Sequence, residues 1–192
     1  MNDMMSSCVL CPRECGVDRS KHRGFCGCSD VMHIDKVMLH QWEEPCISGT
    51  DKQRGSGAIF FSGCSLKCVF CQNRQISRSE CGTAVSSAGL ADIMLDLQNK
   101  GAYNINFVSP THYTVGIMAA IDLCRDSLNI PVVWNTGGYE KPDTIRMLGG
   151  YADIFLTDFK YASPDKAALY ASAPDYPEYA LASLKEMVKL VG

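Results

Sequence analysis

The residues most able to do chemistry are three cysteines in one short stretch, "GCSLKCVFCQN" at 63–73. Cys64, Cys68 and Cys71 lie within eight positions of one another. A cubane iron–sulfur cluster normally takes four cysteine thiolates. Three would leave one iron with an open position for a further ligand, much as catalytic zinc keeps an open position. Zinc ligands usually come in short-spaced pairs, so a zinc site completed from elsewhere in the chain is the less favoured alternative.

The start of the chain carries a second group of thiols. Cys8, Cys11, Cys15 and Cys26 lie near the N-terminus, with Cys28 close by. These thiolates could hold zinc or a second iron–sulfur cluster. The segment has too few apolar residues for a core of its own, so a metal would stabilise it. A structural metal, an auxiliary cluster and a metal-free segment all stay open, since the spacing does not separate zinc from iron.

The composition excludes several classes of protein. The formal net charge is −3, and charged residues of both signs are mixed, so no basic face for nucleic acid is expected. No apolar run approaches the roughly 20 residues that cross a bilayer, and the N-terminus lacks the pattern of a secretory signal. Eleven cysteines without such a signal indicate metal binding in a reducing compartment. We therefore expect a cytoplasmic protein without membrane or nucleic-acid partners.

The elements that must position these thiols alternate along the chain. Short apolar runs typical of buried strands occupy 57–63, 104–109, 130–135 and 152–160, and residues 31–42 could supply a further strand or two. Helical periodicity occupies 86–101, 114–128, 141–150, 163–171 and 176–191. In the last helix, Leu181, Leu184, Val188 and Val191 are in register on one apolar face. This alternation predicts an α/β fold with a parallel sheet and right-handed crossovers.

Functional groups of such folds lie in the loops that follow the strands. The four loops read "GCSLKCVFCQN", "SPTHYT", "NTGGYE" and "TDFKYASP". The three-cysteine motif therefore follows the first predicted strand of the array, where catalytic groups belong. That placement supports a functional site independently of the cysteine spacing.

The cysteine spacing, with the aromatic Phe70 before the last cysteine, resembles the signature of the radical S-adenosylmethionine superfamily. Further motifs resemble its pyruvate formate-lyase-activating-enzyme-like branch of the PflX type: "CVLCPRECGVDR", "EEPCISG", "NINFVSPTHY", "WNTGGYE" and "DIFLTDFKY". The resemblance implies a partial (β/α) barrel of the TIM type at 57–192, preceded by an irregular cysteine-rich segment at 1–56. Such barrels commonly have six βα units and this chain shows about four, so we expect a truncated chain rather than a natural minimal enzyme.

The resemblance also implies cofactors and the residues that bind them. A 4Fe–4S cluster on Cys64, Cys68 and Cys71 would bind S-adenosylmethionine through its open iron. Where the superfamily often has Gly-Gly-Glu, this chain has Ser109 and Thr111, which we expect to take over the contact with the amino group.

Phe70, Asn135, Thr136 and Asp158 complete the predicted cofactor residues, although turn or helix capping is the alternative for the last three. His112 is expected to be a polar surface group, because radical hydrogen abstraction needs no general base.

The implied activity is reductive cleavage of S-adenosylmethionine to a 5′-deoxyadenosyl radical that abstracts a hydrogen atom. The implied partners are an electron donor of the flavodoxin or ferredoxin type and a glycyl-radical protein as substrate. Two alternatives belong to other classes: an iron–sulfur protein that binds its cluster without turnover, and a zinc-binding interaction module. The final substrate is not encoded in the motifs that carry the resemblance.

Overall fold

The computed structural model describes residues 3–51 and 53–192, and its centre is a six-stranded mixed sheet in the order β3-β1-β2-β4-β5-β6. The strands are β1 (Met32–His40), β2 (Ser56–Phe61), β3 (Thr83–Val85), β4 (Ile105–Val108), β5 (Val132–Thr136) and β6 (Ile154–Thr157). The four apolar runs of the sequence form β2, β4, β5 and β6, which pair in parallel. The prediction of an α/β fold with a parallel array is confirmed, and its partial-barrel connectivity is consistent with this strand order.

The helices are α1 (Asp3–Ser6), α2 (Pro45–Ser48), α3 (Arg74–Ser77), α4 (Ser87–Asn99), α5 (Thr114–Cys124), α6 (Pro142–Met147), α7 (Pro164–Ala171) and α8 (Tyr176–Val191). The Ser86 hydroxyl accepts the Gly89 N–H at 3.1 Å and so caps α4. Pro142 and Pro164 occupy the first turns of α6 and α7, where a missing N–H costs nothing. Local sequence signals therefore set where these helices begin.

Two antiparallel strands extend the sheet beyond the parallel array. β1 pairs with β2 from Ile34 opposite Phe61 to His40 opposite Ser56, and β3 pairs with β1. β1 lies within the segment 31–42 that could supply a strand, whereas β3 was not predicted from the sequence. β3 is only three residues long and is specified by its partner rather than by a pattern of its own.

The core is built on one face of the parallel strands. Phe61, Phe107 and Trp134 come from three neighbouring strands and are buried, with ring centroids 5.9 Å apart for the first pair and 6.3 Å for the second. Each buried ring contributes about 1.5–3 kcal/mol of transfer free energy. α4 and α5 pack against each other over this face and cover it. The strands are thereby held rigidly, with their carboxyl ends at one edge.

The last helix buries a face different from the apolar stripe seen in the sequence. Leu181, Leu184, Val188 and Val191 are exposed, while α8 buries Tyr176, Ala180, Ser183 and Met187. Small side chains at the second and third of these positions allow the helix to approach the turn that follows β5. No helix within residues 3–51 and 53–192 combines the length and the apolar character needed to cross a membrane.

Candidate functional site

A cleft of about 550 Å³ opens at the carboxyl ends of the four parallel strands. Eight of the residues singled out in the sequence line it together: Cys64, Cys68, Phe70, Cys71, Ser109, Asn135, Thr136 and Asp158. They come from four separate loops that are far apart in the chain. Parallel strands end at the same edge of the sheet, and that topology brings these side chains to one place.

The cysteine loop leaves β2 through two left-handed backbone conformations. Gly63 has φ +83° and Lys67 has φ +54°. The Leu66 N–H donates to the Cys64 Sγ atom at 3.4 Å, and the Arg78 guanidinium donates to the Cys68 carbonyl at 3.0 Å. Burial raises the pKa of the Cys64 thiol. The loop is therefore tightly turned, and its first cysteine is half-buried at the cleft.

Phe70 lies at the rim of the cleft and is 60% exposed. Its ring meets Tyr161 and Tyr170, with centroid distances of 6.1 and 6.3 Å. The Val69 N–H donates to the Tyr170 carbonyl at 2.9 Å, which fastens the loop to α7. These contacts hold Phe70 beside the last cysteine while leaving much of the ring free for another molecule.

The loops after β4, β5 and β6 are joined by backbone hydrogen bonds. The Ser109 N–H donates to the Asn135 carbonyl at 2.9 Å, and the Asp158 N–H donates to the Thr136 carbonyl at 3.0 Å. Ser109 has φ +56°, a left-handed conformation that is costly for a residue with a side chain. Such backbone strain concentrates at functional sites. It is the strongest local mark of function in this loop.

Thr111 lies beneath the cleft rather than in it. It is buried and lines a small recess with Ser109 and Thr136. The hydroxyls of Thr111 and Thr136 both donate to Oε1 of Glu140, a carboxyl that is itself buried. Thr111 is therefore linked to Thr136, a predicted cofactor residue, through the Glu140 carboxyl that both hydroxyls share.

Glu140 was not singled out in the sequence, although it closes the "WNTGGYE" motif. Its second oxygen, Oε2, is buried without a hydrogen-bond partner among the residues that the structure describes. Burial raises the pKa of this carboxyl to about 7, and hydrogen bonds from the two threonines oppose the shift. The sequence signal that could have pointed to it is the Gly-Gly pair just before, which folds the loop back under the strand ends.

His40 and Glu43 line the opposite wall of the cleft from the chain's N-terminal half. The Nε2 atom of His40 is 3.7 Å from Oε1 of Glu43. Burial raises the pKa of the Glu43 carboxyl. The sequence patterns predict no role for this pair, because only the loops after the parallel strands were expected to carry functional groups. His40 and Glu43 come before the first parallel strand, and β1 runs antiparallel to it.

His112 is buried, which corrects the expectation of a surface histidine. Its Nε2 atom lies 2.7 Å from the Ser62 carbonyl, so the ring donates there in its Nε2–H form. Burial lowers the pKa of the imidazole and keeps it neutral. Ser62 directly precedes the cysteine loop, and His112 therefore positions that loop.

The N-terminal thiol segment packs against the same loop from behind. The Cys64 N–H donates to the Cys26 carbonyl at 3.4 Å, and the Cys28 Sγ–H donates to the Ser62 carbonyl at 3.3 Å. A Cβ atom on Gly63 would lie only 2.2 Å from the Cys28 Sγ atom. Gly63 is thus required twice, by its backbone conformation and by the neighbouring sulfur.

Comparison with known proteins decides the family. The sequence pattern of the Radical SAM superfamily matches residues 58–191. The chain belongs to the radical SAM superfamily. Over 182 residues it is also 30% identical to an uncharacterized protein of Methanocaldococcus jannaschii. That match covers 91% of this chain and 51% of the relative, so the chain spans about half the length of the curated relative it matches.

Membership of the radical SAM superfamily implies a 4Fe–4S cluster and S-adenosylmethionine, and it indicates an enzyme. The donor set fits that cluster. Cys64, Cys68 and Cys71 line one cleft, whereas no three His, Cys, Asp or Glu side chains of residues 3–51 and 53–192 come together as ligands of one metal ion. A cluster binds each thiolate to a different iron, so its ligands need not converge on one point.

Proposed function

We propose that this chain cleaves S-adenosylmethionine reductively and uses the resulting 5′-deoxyadenosyl radical to abstract a hydrogen atom. One observation carries the proposal: three thiols of a single loop share a cleft with polar groups from the ends of the three following strands. When bound, the cluster on Cys64, Cys68 and Cys71 supplies one electron to the sulfonium, which yields methionine and the radical. The electron comes from a low-potential donor of the flavodoxin or ferredoxin type.

The chain's own residues bind and orient the cosubstrate. Ser109 and Asn135 line the cleft that contains the cysteine loop, and we assign them to the amino-acid end of S-adenosylmethionine. Asp158 lines the same cleft, pairs with Lys160, and is assigned to the ribose. Phe70 shields the rim. Fixed polar groups of this kind position a reactive bond and exclude water from it.

Thr111 and Thr136 act through Glu140 in this proposal. Both hydroxyls are donated to its carboxyl, and both threonines line the recess with Ser109. The shared carboxyl ties the loop after β4 to the end of β5. We assign Glu140 the role of holding the two polar walls of the cofactor cleft at a constant separation.

We further propose that the substrate is a backbone glycine of a partner protein, as in the activating-enzyme-like, PflX-type branch that the motifs resemble. Apolar side chains surround the cleft and remain exposed, including Val69, Phe70 and Phe159. Exposed apolar surface beside a polar cleft is typical of protein recognition. A small-molecule substrate would not need it.

The test is an anaerobic assay of 5′-deoxyadenosine with reconstituted protein, dithionite and S-adenosylmethionine. We expect product from the wild type and from Cys46→Ala, an exposed cysteine outside both groups. We expect none from Cys64→Ala, Cys68→Ala or Cys71→Ala. A wild type that holds its four-iron cluster and forms no product would overturn the catalytic proposal and leave a binding protein.

The substrate proposal has a separate readout. A glycyl-radical protein incubated with the loaded enzyme should develop the doublet of a glycyl radical in electron paramagnetic resonance. Deuterium at its target glycine should appear in 5′-deoxyadenosine. Product formation without either signal would exclude that substrate while leaving the cleavage activity intact.

A further inference from the structure

The proposed function leaves the N-terminal thiols unused, together with a buried arginine that lies among them. We propose that Cys8, Cys11, Cys15 and Cys26 hold a second iron–sulfur cluster, closed by four thiolates and placed behind the radical SAM loop. This goes beyond the proposed function, which needs only the first cluster. Three features of the molecule support this second site: the fold of the segment, the charge of Arg19 and the separate position of Cys28.

The first three thiols lie on a loop that closes on itself. The Cys8 N–H donates to the Val17 carbonyl and the Gly16 N–H returns to the Cys8 carbonyl, both at 3.0 Å. Within this loop the Glu14 N–H donates to the Cys11 carbonyl at 3.0 Å. These hydrogen bonds hold Cys8, Cys11 and Cys15 within one small closed loop, with the short ligand spacing of metal-binding knuckles.

The fourth thiol comes from the next turn of the chain and meets the loop. A Cβ atom placed on Gly24 would lie 3.5 Å from the Sγ atom of Cys15 and 3.6 Å from that of Cys26. Cys8, Cys11 and Cys26 are buried, and the Cδ atom of Arg19 lies 3.8 Å from the same Cβ position. The thiols of the loop and Cys26 therefore lie together around Arg19.

Arg19 is the observation that points to a negatively charged centre. It is 0% exposed, and its Nη1 atom lies 3.9 Å from the Cys8 Sγ atom and 2.8 Å from the His112 carbonyl that it donates to. Its Nη2 atom donates to the Ser29 carbonyl, and its Nε atom is buried without a partner among the described residues.

No carboxylate within residues 3–51 and 53–192 forms an ion pair with Arg19. A buried guanidinium needs an anion close by, because carbonyl dipoles alone do not replace its hydration. The Cys8 sulfur, 3.9 Å from Nη1, becomes such an anion as a thiolate, and the Arg19 Cδ atom borders the same Gly24 position as the Cys15 and Cys26 sulfurs. Four thiolates around a cubane carry a net negative charge, which this cation balances.

Cys28 does not belong to the ligand set, although it is near Cys26 in sequence. Its Sγ–H donates to the Ser62 carbonyl at 3.3 Å, and its sulfur fills the space above Gly63. The Cys28 sulfur is thus directed at the cluster loop and not at the Gly24 position, around which the Cys15 and Cys26 sulfurs lie. Cys28 is therefore a matched control within the same segment.

The position of the group favours iron over zinc. The Cys26 carbonyl accepts the Cys64 N–H at 3.4 Å, so the second group lies directly beside the loop that holds the first cluster. A second cluster there could exchange electrons with the first, which zinc cannot do because it has no redox chemistry.

The experiment measures iron, sulfide and zinc in anaerobically reconstituted full-length variants. The triple variant Cys64→Ala, Cys68→Ala, Cys71→Ala removes the first site, and we expect it to retain about four of about eight irons per chain. Adding Cys11→Ser and Cys15→Ser should remove the remaining iron. Adding Cys28→Ser should retain it and preserve the signal of the reduced cluster in electron paramagnetic resonance.

A triple variant without iron, or with one zinc per chain, would overturn the proposal, as would iron that survives Cys11→Ser and Cys15→Ser. A second measurement guards against misfolded variants. In the triple variant, Arg19→Met should shift the reduction potential of the remaining cluster to more negative values, because a nearby cation favours the reduced form, and Arg19→Lys should not. An unchanged potential in Arg19→Met would place the iron elsewhere. The 5′-deoxyadenosine assay plays no part in these outcomes, so failure of the proposed function is distinguishable from failure of this inference.

Discussion

The two cysteine groups of this chain are opposites in construction. The loop after β2 presents three thiols to an open cleft, and its neighbours are polar groups at strand ends. The N-terminal group has four thiols, three of them buried, packed around Arg19 on the side of the loop away from the cleft. An incomplete and accessible set suits a site that must bind a cosubstrate, whereas a complete and enclosed set suits a centre that must not.

The two groups nevertheless share a boundary. Gly63 and Cys64 belong to the cleft loop, and Cys26 and Cys28 of the N-terminal segment contact them directly. Glu140 is next to a second point of contact, because the adjacent Lys141 pairs with Glu14 of the N-terminal segment. We therefore expect variants of the cleft thiols to change cleavage of S-adenosylmethionine, and variants of the N-terminal thiols to leave the iron of the first cluster in place. Variants at the shared boundary should affect both groups.

The largest expected effect separates the two groups by activity. Each single alanine at Cys64, Cys68 or Cys71 should abolish 5′-deoxyadenosine formation, because the cosubstrate loses the iron that binds it. Cys15→Ser should leave the iron of the first cluster in place, since its sulfur lies in the other group. The measurement is the 5′-deoxyadenosine assay with iron determined in parallel. Full activity in Cys68→Ala would contradict the different roles of the two cysteine groups.

The next effect tests the boundary through Gly63. Gly63→Ala puts a methyl group against the Cys28 sulfur in a left-handed backbone conformation, so we expect a loss of about 3 kcal/mol in unfolding free energy. Gly150 has φ +77° with no atom within 4 Å of an added Cβ, and Gly150→Ala should cost only about 1 kcal/mol. Urea denaturation measures both.

A double variant isolates the sulfur contact. Cys28→Ala removes the sulfur, so Gly63→Ala should cost less in that background than in the wild type, as a double-mutant cycle would show. An equal loss of unfolding free energy in the two backgrounds would mean that the Cys28 sulfur does not restrict the space at Gly63.

A pH dependence follows from Glu140. Burial raises the pKa of its carboxyl from 4.5 to about 7, so the folded chain holds a proton that the unfolded chain releases between those values. Stability contributed by this proton is full below pH 4.5 and is lost as the pH rises to about 7. The loss is about 3 kcal/mol. Denaturation of wild type and Glu140→Gln across this range should give curves that diverge with pH, and parallel curves would contradict the assignment.

The smallest effect sharpens the role of Ser109. Ser109→Gly relieves the left-handed conformation and should stabilise the fold by about 1 kcal/mol. It also removes the hydroxyl, so S-adenosylmethionine should bind about tenfold more weakly. Ser172→Gly is the control, because Ser172 has φ +51° at the end of α7 and does not line the cleft. It should stabilise the fold without changing affinity, and equal affinities in both variants would remove Ser109 from the cofactor site.

Patterns in the chain were sufficient to predict the strands and helices that carry the site. Apolar runs predicted β2, β4, β5 and β6, because a short continuous apolar run indicates a strand without any knowledge of its partners. The same patterns failed for β3, which exists through its pairing with β1, and for α8, where periodicity marked an apolar face that the fold leaves exposed. Periodicity indicates that a helix is amphipathic, and tertiary packing decides which of its faces is buried.

The sequence by itself determined the spacing of the three thiols and the place of their loop after an apolar strand, because spacing and order along the chain are local properties. Only the tertiary structure decided how neighbours in sequence divide their roles. Ser109 lines the cleft while Thr111, two residues on, turns beneath it to Glu140. Cys26 faces the other thiols while Cys28 donates to the cluster loop. These differences depend on burial and on contacts between segments more than 25 residues apart, for example the 29 positions from Thr111 to Glu140 and the 34 from Cys28 to Ser62, which no local pattern records.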